Sequence, residues 1–270
     1  MSVSPLRALV AAGFEVAMVV TRVDKRRGRG GDLTPSAVKA AAVELGLPVS
    51  HRVDDLIGLG VELGVVVAFG QIIKPHVLVE VPMVNLHFSL LPRWRGAAPV
   101  ERAMLAGDAR TGVCLMQLEE GLDTGPVYDR REVPIGPHTT GQQLRTTLVE
   151  VGTELLVHSL LAGLGVPVAQ SGEPVYAAKL TADELQIDWD AAPTAVDRLI
   201  RLGGAWTTFR GKRLKVLAAD LVGDAAGRSL VGDRVGGVRL LRVQPEGKPA
   251  MDFADFARGA RPLDGERFGE

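Results

Sequence analysis

The stretch VNLHFSLLPRWRGAAP, residues 84–99, decides the fold of the first part of the chain. In it an apolar strand ends with Asn85 and His87, a stiff loop follows, and a helix is predicted over residues 96–108. Because residues i and i+2 of a strand lie on the same side, the two polar side chains can converge. Ligands of open α/β sheets bind beyond the carboxyl ends of the strands, so this strand end is a candidate site.

Apolar strands alternate with helices on both sides of this stretch, which predicts an α/β domain with a parallel or mixed sheet covered on both faces. Helices are expected to start at Ser4–Pro5, at Thr34–Pro35 and at Thr139–Thr140. The other predicted strands are residues 15–21, 64–70, 112–118 and 127–135.

The pattern changes after about residue 170, where short strands and Gly-rich turns predict a small β domain of barrel type. One hairpin is expected to turn at Arg210–Gly211–Lys212. We therefore expect a first domain over residues 1–170, a linker over 171–190 and a second domain over 191–270.

Composition limits the class of protein. The chain has 270 residues, is 46% hydrophobic and carries a net charge of -1, so contact with nucleic acid would depend on local basic clusters. Its single cysteine, Cys114, excludes an intramolecular disulfide and indicates a reducing compartment. The sequence has neither a basic leader with a cleavage site nor the roughly 18 consecutive apolar residues of a membrane helix. These features predict a cytoplasmic protein without membrane contact.

The polar residues at the strand end suit acyl transfer. Asn85 offers an amide donor to an oxyanion, and His87 can handle a proton near neutral pH. A third polar group, Asp123, lies in the turn EEGLDTGP (119–126) after the next strand. The alternatives are structural, since an Asn-x-His pair at a strand end is often only hydrogen-bonded and an Asp beside Gly is often a turn former.

Other reactive residue types indicate no further chemistry. Cys114 lies among apolar neighbours and is predicted to belong to the core. No phosphate-binding loop of the G-x-x-x-x-G-K-[ST] type occurs. We predict no metal site, because metal-ligand spacing is lacking among four histidines: His51, His76, His138 and His158.

The segments NLHFSLLPRWRGAAPVERAMLAGD (85–108) and TGVCLMQLEEGLDTGPVY (111–128) strongly resemble the 10-formyltetrahydrofolate-dependent formyltransferases. The resemblance extends over essentially the whole chain and is greatest to the members that act on initiator methionyl-tRNA. It implies a Rossmann-like sheet followed by a small OB-like β-barrel, with 10-formyltetrahydrofolate as formyl donor and no metal. It also implies a cytoplasmic enzyme of translation initiation, which we expect to be a monomer.

The resemblance gives the candidate site residues their roles. Asn85 would donate to the formyl oxygen as it becomes an oxyanion, and His87 would stabilise that oxyanion or manage the proton of the attacking amine. Asp123 would orient His87 and a water and help proton transfer to folate N10. Arg93 and Arg95 would attract the folate tail or an RNA phosphate, or else face solvent. The folate-binding loop falls on Ser89, Leu90, Leu91 and Pro92.

A basic loop occupies TRVDKRRGRGGDL (21–33), where the resemblance implies entry into the tRNA acceptor end. A solvated surface segment is the alternative. Basic residues on the hairpin near residue 212 would likewise contact tRNA in the family's small barrel. The candidate tRNA-binding residues of the loop are Lys25, Arg26, Arg27 and Arg29.

Three departures from the family pattern stand out. Phe88 takes the place of a small residue or Pro, and the second domain is shortened between Gly227 and Val238. The strand that begins family members is absent before Ser4, and we expect it in a longer natural product, beside residues 15–21. The open alternatives are a formyltransferase for an amino sugar nucleotide, a formyl-folate hydrolase, and an inactive paralogue that binds folate or tRNA.

Overall fold

The computed structural model describes residues 1–27, 31–263 and 265–270. Within them the chain forms two compact units. The first comprises Met1–Pro99, Arg110–Pro134 and Arg145–Ala177, and the second comprises Val100–Ala109, Ile135–Leu144 and Ala178–Glu270. The domain boundaries predicted at residues 170 and 191 stay a prediction.

Helices form where the sequence pattern indicates them, with shifted ends. The second helix begins at Ala37 rather than at Thr34–Pro35, because the Ser36 hydroxyl caps it by accepting the Lys39 N–H at 3.1 Å. The helices are α1 (Val3–Ala11), α2 (Ala37–Glu44), α3 (Pro75–Glu80), α4 (Pro99–Ala106), α5 (Gly141–Leu161), α6 (Pro193–Leu202) and α7 (Phe253–Ala260).

The strands that precede the second unit's sheet differ in length from two to eight residues. They are β1 (Val19–Val20), β2 (Lys25–Arg27), β3 (Asp32–Thr34), β4 (Val49–Ser50), β5 (Gly64–Val67), β6 (Met83–His87), β7 (Arg95–Gly96), β8 (Arg110–Gln117), β9 (Val127–Pro134) and β10 (Tyr176–Ala177).

The main sheet of the first unit has the order β5-β6-β8-β9, with β5 and β6 parallel and the other pairs antiparallel. This mixed sheet confirms the predicted α/β fold. The strand predicted to reach Gly70 ends at Val67, because Ala68 adopts a left-handed backbone with φ of 49°. Strand β6 is hydrogen-bonded on both sides, so its end at His87 is held firmly by its neighbours.

A second, two-stranded parallel sheet pairs β1 with β4. Strand β1 is shorter than the predicted strand over residues 15–21, and β4 was not predicted, because two-residue strands leave almost no periodic signal. In the described residues no strand joins this sheet to β5. The expectation of a further strand beside residues 15–21 stays a prediction.

Helix α5 packs closely against the main sheet at Gly152. A Cβ there would lie 3.1 Å from side-chain atoms of both Leu86 on β6 and Val113 on β8. Small size is therefore needed at this position so that the helix can cover the strand that carries the candidate site.

The second unit contains an antiparallel sheet of six strands in its described residues. The Arg210–Gly211 turn has positive φ at both residues, 50° and 70°, as a type I′ hairpin turn requires. The segment from Gly227 to Val238 contains two short strands, and its shortening relative to the family stays a prediction. The strands are β11 (Trp206–Phe209), β12 (Lys212–Leu221), β13 (Leu230–Val231), β14 (Arg234–Val235), β15 (Val238–Pro245) and β16 (Met251–Asp252).

The core of the second unit lies between this sheet and α6. Phe209, Val216 and Phe268 are buried there, and each large apolar side chain contributes roughly 1.5–3 kcal/mol by leaving water. The buried Trp189 indole donates a hydrogen bond to the Thr207 hydroxyl at 2.9 Å, which satisfies its polar atom. The unit therefore has a core of its own.

Candidate active site

The structure brings Asn85, His87 and Asp123 together at the end of β6. The Asn85 amide nitrogen donates to Asp123 Oδ1 at 3.4 Å, and His87 Nδ1 lies 3.7 Å from Asp123 Oδ2. Asn85 and His87 lie on one face of β6, as their spacing predicted. The convergence predicted from sequence is thus seen in the structure, while the roles assigned to the three residues stay predictions.

Asp123 reaches this position from the turn between β8 and β9. Its backbone is left-handed, with φ of 51°, and its Oδ2 accepts the backbone N–H of Gly96 at 2.8 Å. Gly125 permits the turn, because an added Cβ there would lie 2.0 Å from the carbonyl oxygen of Gln117. The Gly residues of the predicted turn therefore serve to direct the carboxylate of Asp123 toward β6.

His87 is held by the loop that follows its own strand. Its Nε2 lies 2.9 Å from the carbonyl oxygen of Trp94, a residue with φ of 66°. Because a carbonyl oxygen can only accept, Nε2 carries the hydrogen and donates it. The neutral ring then has its lone pair on Nδ1, the nitrogen that faces Asp123.

Burial lowers the pKa of His87 below its ordinary value of 6.5, and the Asp123 carboxylate and the Trp94 carbonyl only partly oppose this effect. The His87 and Asp123 side chains are 6% and 11% exposed, so their mutual interaction is weakly screened. At neutral pH His87 is therefore an uncharged base beside a carboxylate, and a proton taken up on Nδ1 would be stabilised by Asp123.

The predicted folate-binding loop, Ser89–Pro92, follows His87 directly. The Ser89 hydroxyl is fully buried and donates to the Arg93 carbonyl at 2.6 Å, which makes it part of the turn itself. Leu91 is buried, and the Leu91–Pro92 peptide is cis. Leu90 packs against Gly112, where a Cβ would lie 2.5 Å from the Leu90 side chain. The loop is well packed and lies directly after His87, and its assignment to folate stays a prediction.

Two other residues with reactive side chains, Cys114 and His76, have structural contacts. Burial raises the pKa of the Cys114 thiol to about 11, so Cys114 is a neutral core residue at physiological pH. His76 pairs with Asp54 at 2.6 Å near the surface.

In the part of the chain that the structure describes, no group of three potential ligands could hold a metal ion, and no helix is long and apolar enough to cross a membrane.

The predicted tRNA-binding loop is partly described. Its first arm is β2, which contains Lys25, Arg26 and Arg27 and pairs antiparallel with β3, so the segment has a hairpin base that was not predicted. The side chains of Lys25 and Arg26 are exposed. Arg29, the fourth candidate, lies outside the described residues. The assignment of this loop to tRNA stays a prediction.

Sequence reasoning missed one residue of the site, Gln170. Its side-chain nitrogen donates to the backbone carbonyls of Asp123 and Gly125, both at 2.8 Å, and its oxygen accepts from Arg95 at 2.7 and 3.1 Å. Gln170 lies in an irregular segment without periodicity, 47 residues from Asp123. The sequence therefore carries no local signal for it.

Comparison with known proteins agrees with the mixed α/β sheet and the polar site at its strand ends. The formyl transferase family model matches residues 7–160, and the model of the formyl transferase C-terminal domain matches residues 179–261. The chain belongs to the formyl transferase family, which confirms the resemblance read from its sequence.

One relative is the methionyl-tRNA formyltransferase of Roseobacter denitrificans, 44% identical over 99% of this chain and 95% of its own length. Two solved structures show the same fold at lower identity. The methionyl-tRNA formyltransferase from Clostridium thermocellum has a TM-score of 0.53 at 18% identity, covering 72% of this chain and 86% of its own. The N-formyltransferase from Helicobacter canadensis, solved with folinic acid and dTDP-3-aminofucose, has a TM-score of 0.66 at 15% identity, covering 90% and 95%.

Proposed function

We propose that the chain transfers the formyl group of 10-formyltetrahydrofolate to the amino group of initiator methionyl-tRNA. The observation that carries this proposal is the 44% identity to a methionyl-tRNA formyltransferase over 99% of the chain, with the polar trio of Asn85, His87 and Asp123 assembled inside the matching region. The structural likeness to a sugar N-formyltransferase is at 15% identity, so it supports the fold alone.

The reaction forms a bond between the amine nitrogen and the formyl carbon and breaks the bond from that carbon to folate N10. As the amine attacks, the formyl oxygen becomes an oxyanion. Asn85 carries two amide hydrogens, of which one is directed at Asp123 over a long 3.4 Å contact. The other is free to donate to the oxyanion, which is a larger stabilisation in the transition state than in the bound substrate.

His87 takes the proton that the attacking amine must lose. The sequence left two roles open for this residue, oxyanion stabilisation and proton transfer. The hydrogen on Nε2 is already given to the Trp94 carbonyl, and Nδ1 holds a lone pair, so the ring can accept a proton but has no hydrogen left for an oxyanion. Asp123 stabilises the resulting imidazolium, and the proton is then returned to N10 as tetrahydrofolate leaves.

We assign folate recognition to the loop Ser89–Pro92 through its backbone groups. Support comes from the position of this loop immediately after His87 and from the buried hydroxyl of Ser89, which holds its shape. The loop would therefore present preformed backbone donors and acceptors to the folate.

We assign tRNA contact to the basic loop, at Lys25, Arg26, Arg27 and Arg29, and to the β11–β12 hairpin. On that hairpin Arg213 lies over the Trp206 ring at 4.1 Å and is exposed, whereas Arg210 is paired with Glu266 at 2.5 Å. Exposed cations provide phosphate affinity, and the Arg213–Trp206 pair adds a surface on which a base can stack.

We also assign a domain organisation and a location. Residues 1–170 form the folate-binding catalytic domain, 171–190 the linker and 191–270 the tRNA-binding domain. The family models, which end at residue 160 and begin again at 179, support this division. A charged initiator tRNA is a substrate of the translating compartment, which supports the cytoplasm as the location of the enzyme.

The test is formyl transfer by the purified chain from 10-formyltetrahydrofolate to charged initiator tRNA. Uncharged tRNA and an amino sugar nucleotide serve as control acceptors, and a reaction without acceptor measures folate hydrolysis. The proposal expects formyl-methionyl-tRNA as the product and little turnover elsewhere. Turnover with the sugar nucleotide alone, or hydrolysis alone, would establish one of the two enzymatic alternatives, and no turnover with any acceptor would indicate the inactive paralogue.

A further inference from the structure

We infer that Gln170 is a positioning residue that fixes the Asp123 turn against β6, and that the segment around it completes the active site. The inference rests on the proposed roles of Asp123 and His87. Gln170 is half-buried, and its side chain makes four hydrogen bonds to the two loops that form the site.

The chemistry of the partners fixes the orientation of the Gln170 amide. Its nitrogen faces the carbonyls of Asp123 and Gly125, which can only accept, and its oxygen faces the Arg95 guanidinium, which can only donate. Both amide hydrogens and both lone pairs are therefore used. A flipped amide would lose all four bonds, so this side chain is held in one orientation.

The contacts compensate for an unfavourable backbone. Asp123 has a left-handed conformation, which costs energy for a residue other than Gly unless its surroundings hold it. Gln170 binds the Asp123 carbonyl and the Gly125 carbonyl two residues further on, so it bridges the turn through its backbone. The Gly96 N–H binds the carboxylate itself at 2.8 Å. Gln170 therefore holds the backbone carbonyl of Asp123, and Gly96 holds its side-chain carboxylate.

Residues 168–177, which we call the strap, carry Gln170 across the site. At one end, Val168 and Val127 exchange two backbone hydrogen bonds of 2.8 Å at the start of β9. At the other end, the Arg95 N–H donates to the Val175 carbonyl at 2.8 Å, and β10 pairs with β7. The strap is therefore hydrogen-bonded both to β9, next to the Asp123 turn, and to β7, in the loop after His87. Gln170 lies between these two attachments and binds both loops.

Arg95 acts through Gln170. Its Nε and Nη2 atoms lie 3.1 and 2.7 Å from Gln170 Oε1. This contact gives the guanidinium a role within the site, while contact with the folate tail, an RNA phosphate or solvent stays a prediction. Loss of Arg95 should then have the same direction of effect as loss of Gln170, and the two effects should not add.

The experiment compares Gln170→Ala and Gln170→Glu with the parent chain. Gln170→Glu retains an acceptor for Arg95 but replaces the donor to the two carbonyls with an oxygen, so it separates the turn contacts from the Arg95 contact. Gln142→Ala and Gln142→Glu are the matched controls, since Gln142 is exposed on α5. Arg95→Ala and the double variant with Gln170→Ala complete a cycle.

Both Gln170 variants should lower kcat by about 10- to 100-fold with smaller changes in either KM, because a displacement of about 1 Å in a catalytic group has effects of this size. The Gln142 variants should match the parent. The double variant should be no slower than Gln170→Ala. A folded Gln170→Glu chain with parental kcat would overturn the inference.

A measurement independent of turnover separates this inference from the proposed reaction. Among the described residues, the Asp123 carboxylate is the charged group beside His87, and Cys114, whose thiol is neutral, pairs with His87 on the neighbouring strand β8. The negative charge of Asp123 raises the pKa of His87. If Gln170 holds Asp123 in place, substitution of Gln170 weakens this interaction, and the NMR titration of the His87 ring should move to lower pH. An unchanged titration in both variants would refute the positioning role, even in a chain that fails to formylate tRNA.

Discussion

Substitution of Gly125 by Ala should impair catalysis much more than it impairs folding. The Cβ of an alanine at this position would lie 2.0 Å from the Gln117 carbonyl oxygen and 3.0 Å from its carbon. Both contacts are to backbone, so a rotamer change cannot relieve them. Since non-bonded carbon and oxygen atoms approach to about 3.3 Å, the turn must move by about 1.3 Å.

That displacement falls on the Asp123 carboxylate, to which we assign a catalytic role. Asp123 is two residues before Gly125, and its Oδ2 lies 3.7 Å from His87 Nδ1. A shift of about 1 Å at a reacting group can cost on the order of 100-fold in rate, so we expect kcat to fall by about that factor. Overpacking of this kind costs about 1–3 kcal/mol of stability, which a folded chain can tolerate.

Steady-state kinetics with charged initiator tRNA, paired with thermal unfolding followed by circular dichroism, would measure both effects. Gly165→Ala is the matched control, because an added Cβ at that exposed glycine has no neighbour within 4 Å. A Gly125→Ala chain that folds and turns over at the parental rate would refute the reasoning. So would an equal loss of kcat in Gly165→Ala.

Three further predictions concern the site and the basic loop. Asn85→Ala and His87→Ala should each lower kcat by roughly two to three orders of magnitude, measured in single-turnover formylation, and near-parental rates would remove that residue from the mechanism. Because burial lowers the pKa of His87, the unfolded state binds the proton more readily. The free energy of unfolding should therefore fall as pH drops below 6.5, and His87→Gln should weaken this dependence in denaturant titrations. Arg26→Ala and Arg29→Ala should raise KM for tRNA far more than KM for folate, and each should reduce the salt slope of tRNA binding by about one; a change in the folate KM alone would contradict the assignment.

The sequence predicted those parts of the fold that have strong local patterns. The sequence predicted the carboxyl end of strand β6 to within one residue of His87, because an apolar segment is closed there by polar residues. The start of the long helix α5 at Gly141 was found within two residues, because Thr139–Thr140 is a capping signal. The pairing of β1 with β4 was missed, since each strand has two residues and depends on a partner distant in the chain.

The candidate site was predictable only where its residues lie in motifs. Asn85, His87 and Asp123 were found from their positions at strand ends and in a Gly-flanked turn, together with the family resemblance. The hydrogen on His87 Nε2 could not be known, because it depends on the carbonyl of Trp94, which has a left-handed backbone. Gln170 could not be found either, because its four bonds depend on the path of an irregular segment.

The place of the strap in the chain sets an order of assembly during synthesis. Asn85, His87 and Asp123 are all synthesised before residues 168–177. Until Gln170 emerges, the carbonyls of Asp123 and Gly125 have water in place of their amide donor, and the turn is free to leave its left-handed conformation. The nascent chain therefore carries all three residues of the proposed site before the contacts that hold the Asp123 turn can form. If Gln170 positions Asp123 as inferred, competence for formyl transfer is acquired late, when the strap pairs with β7 and β9.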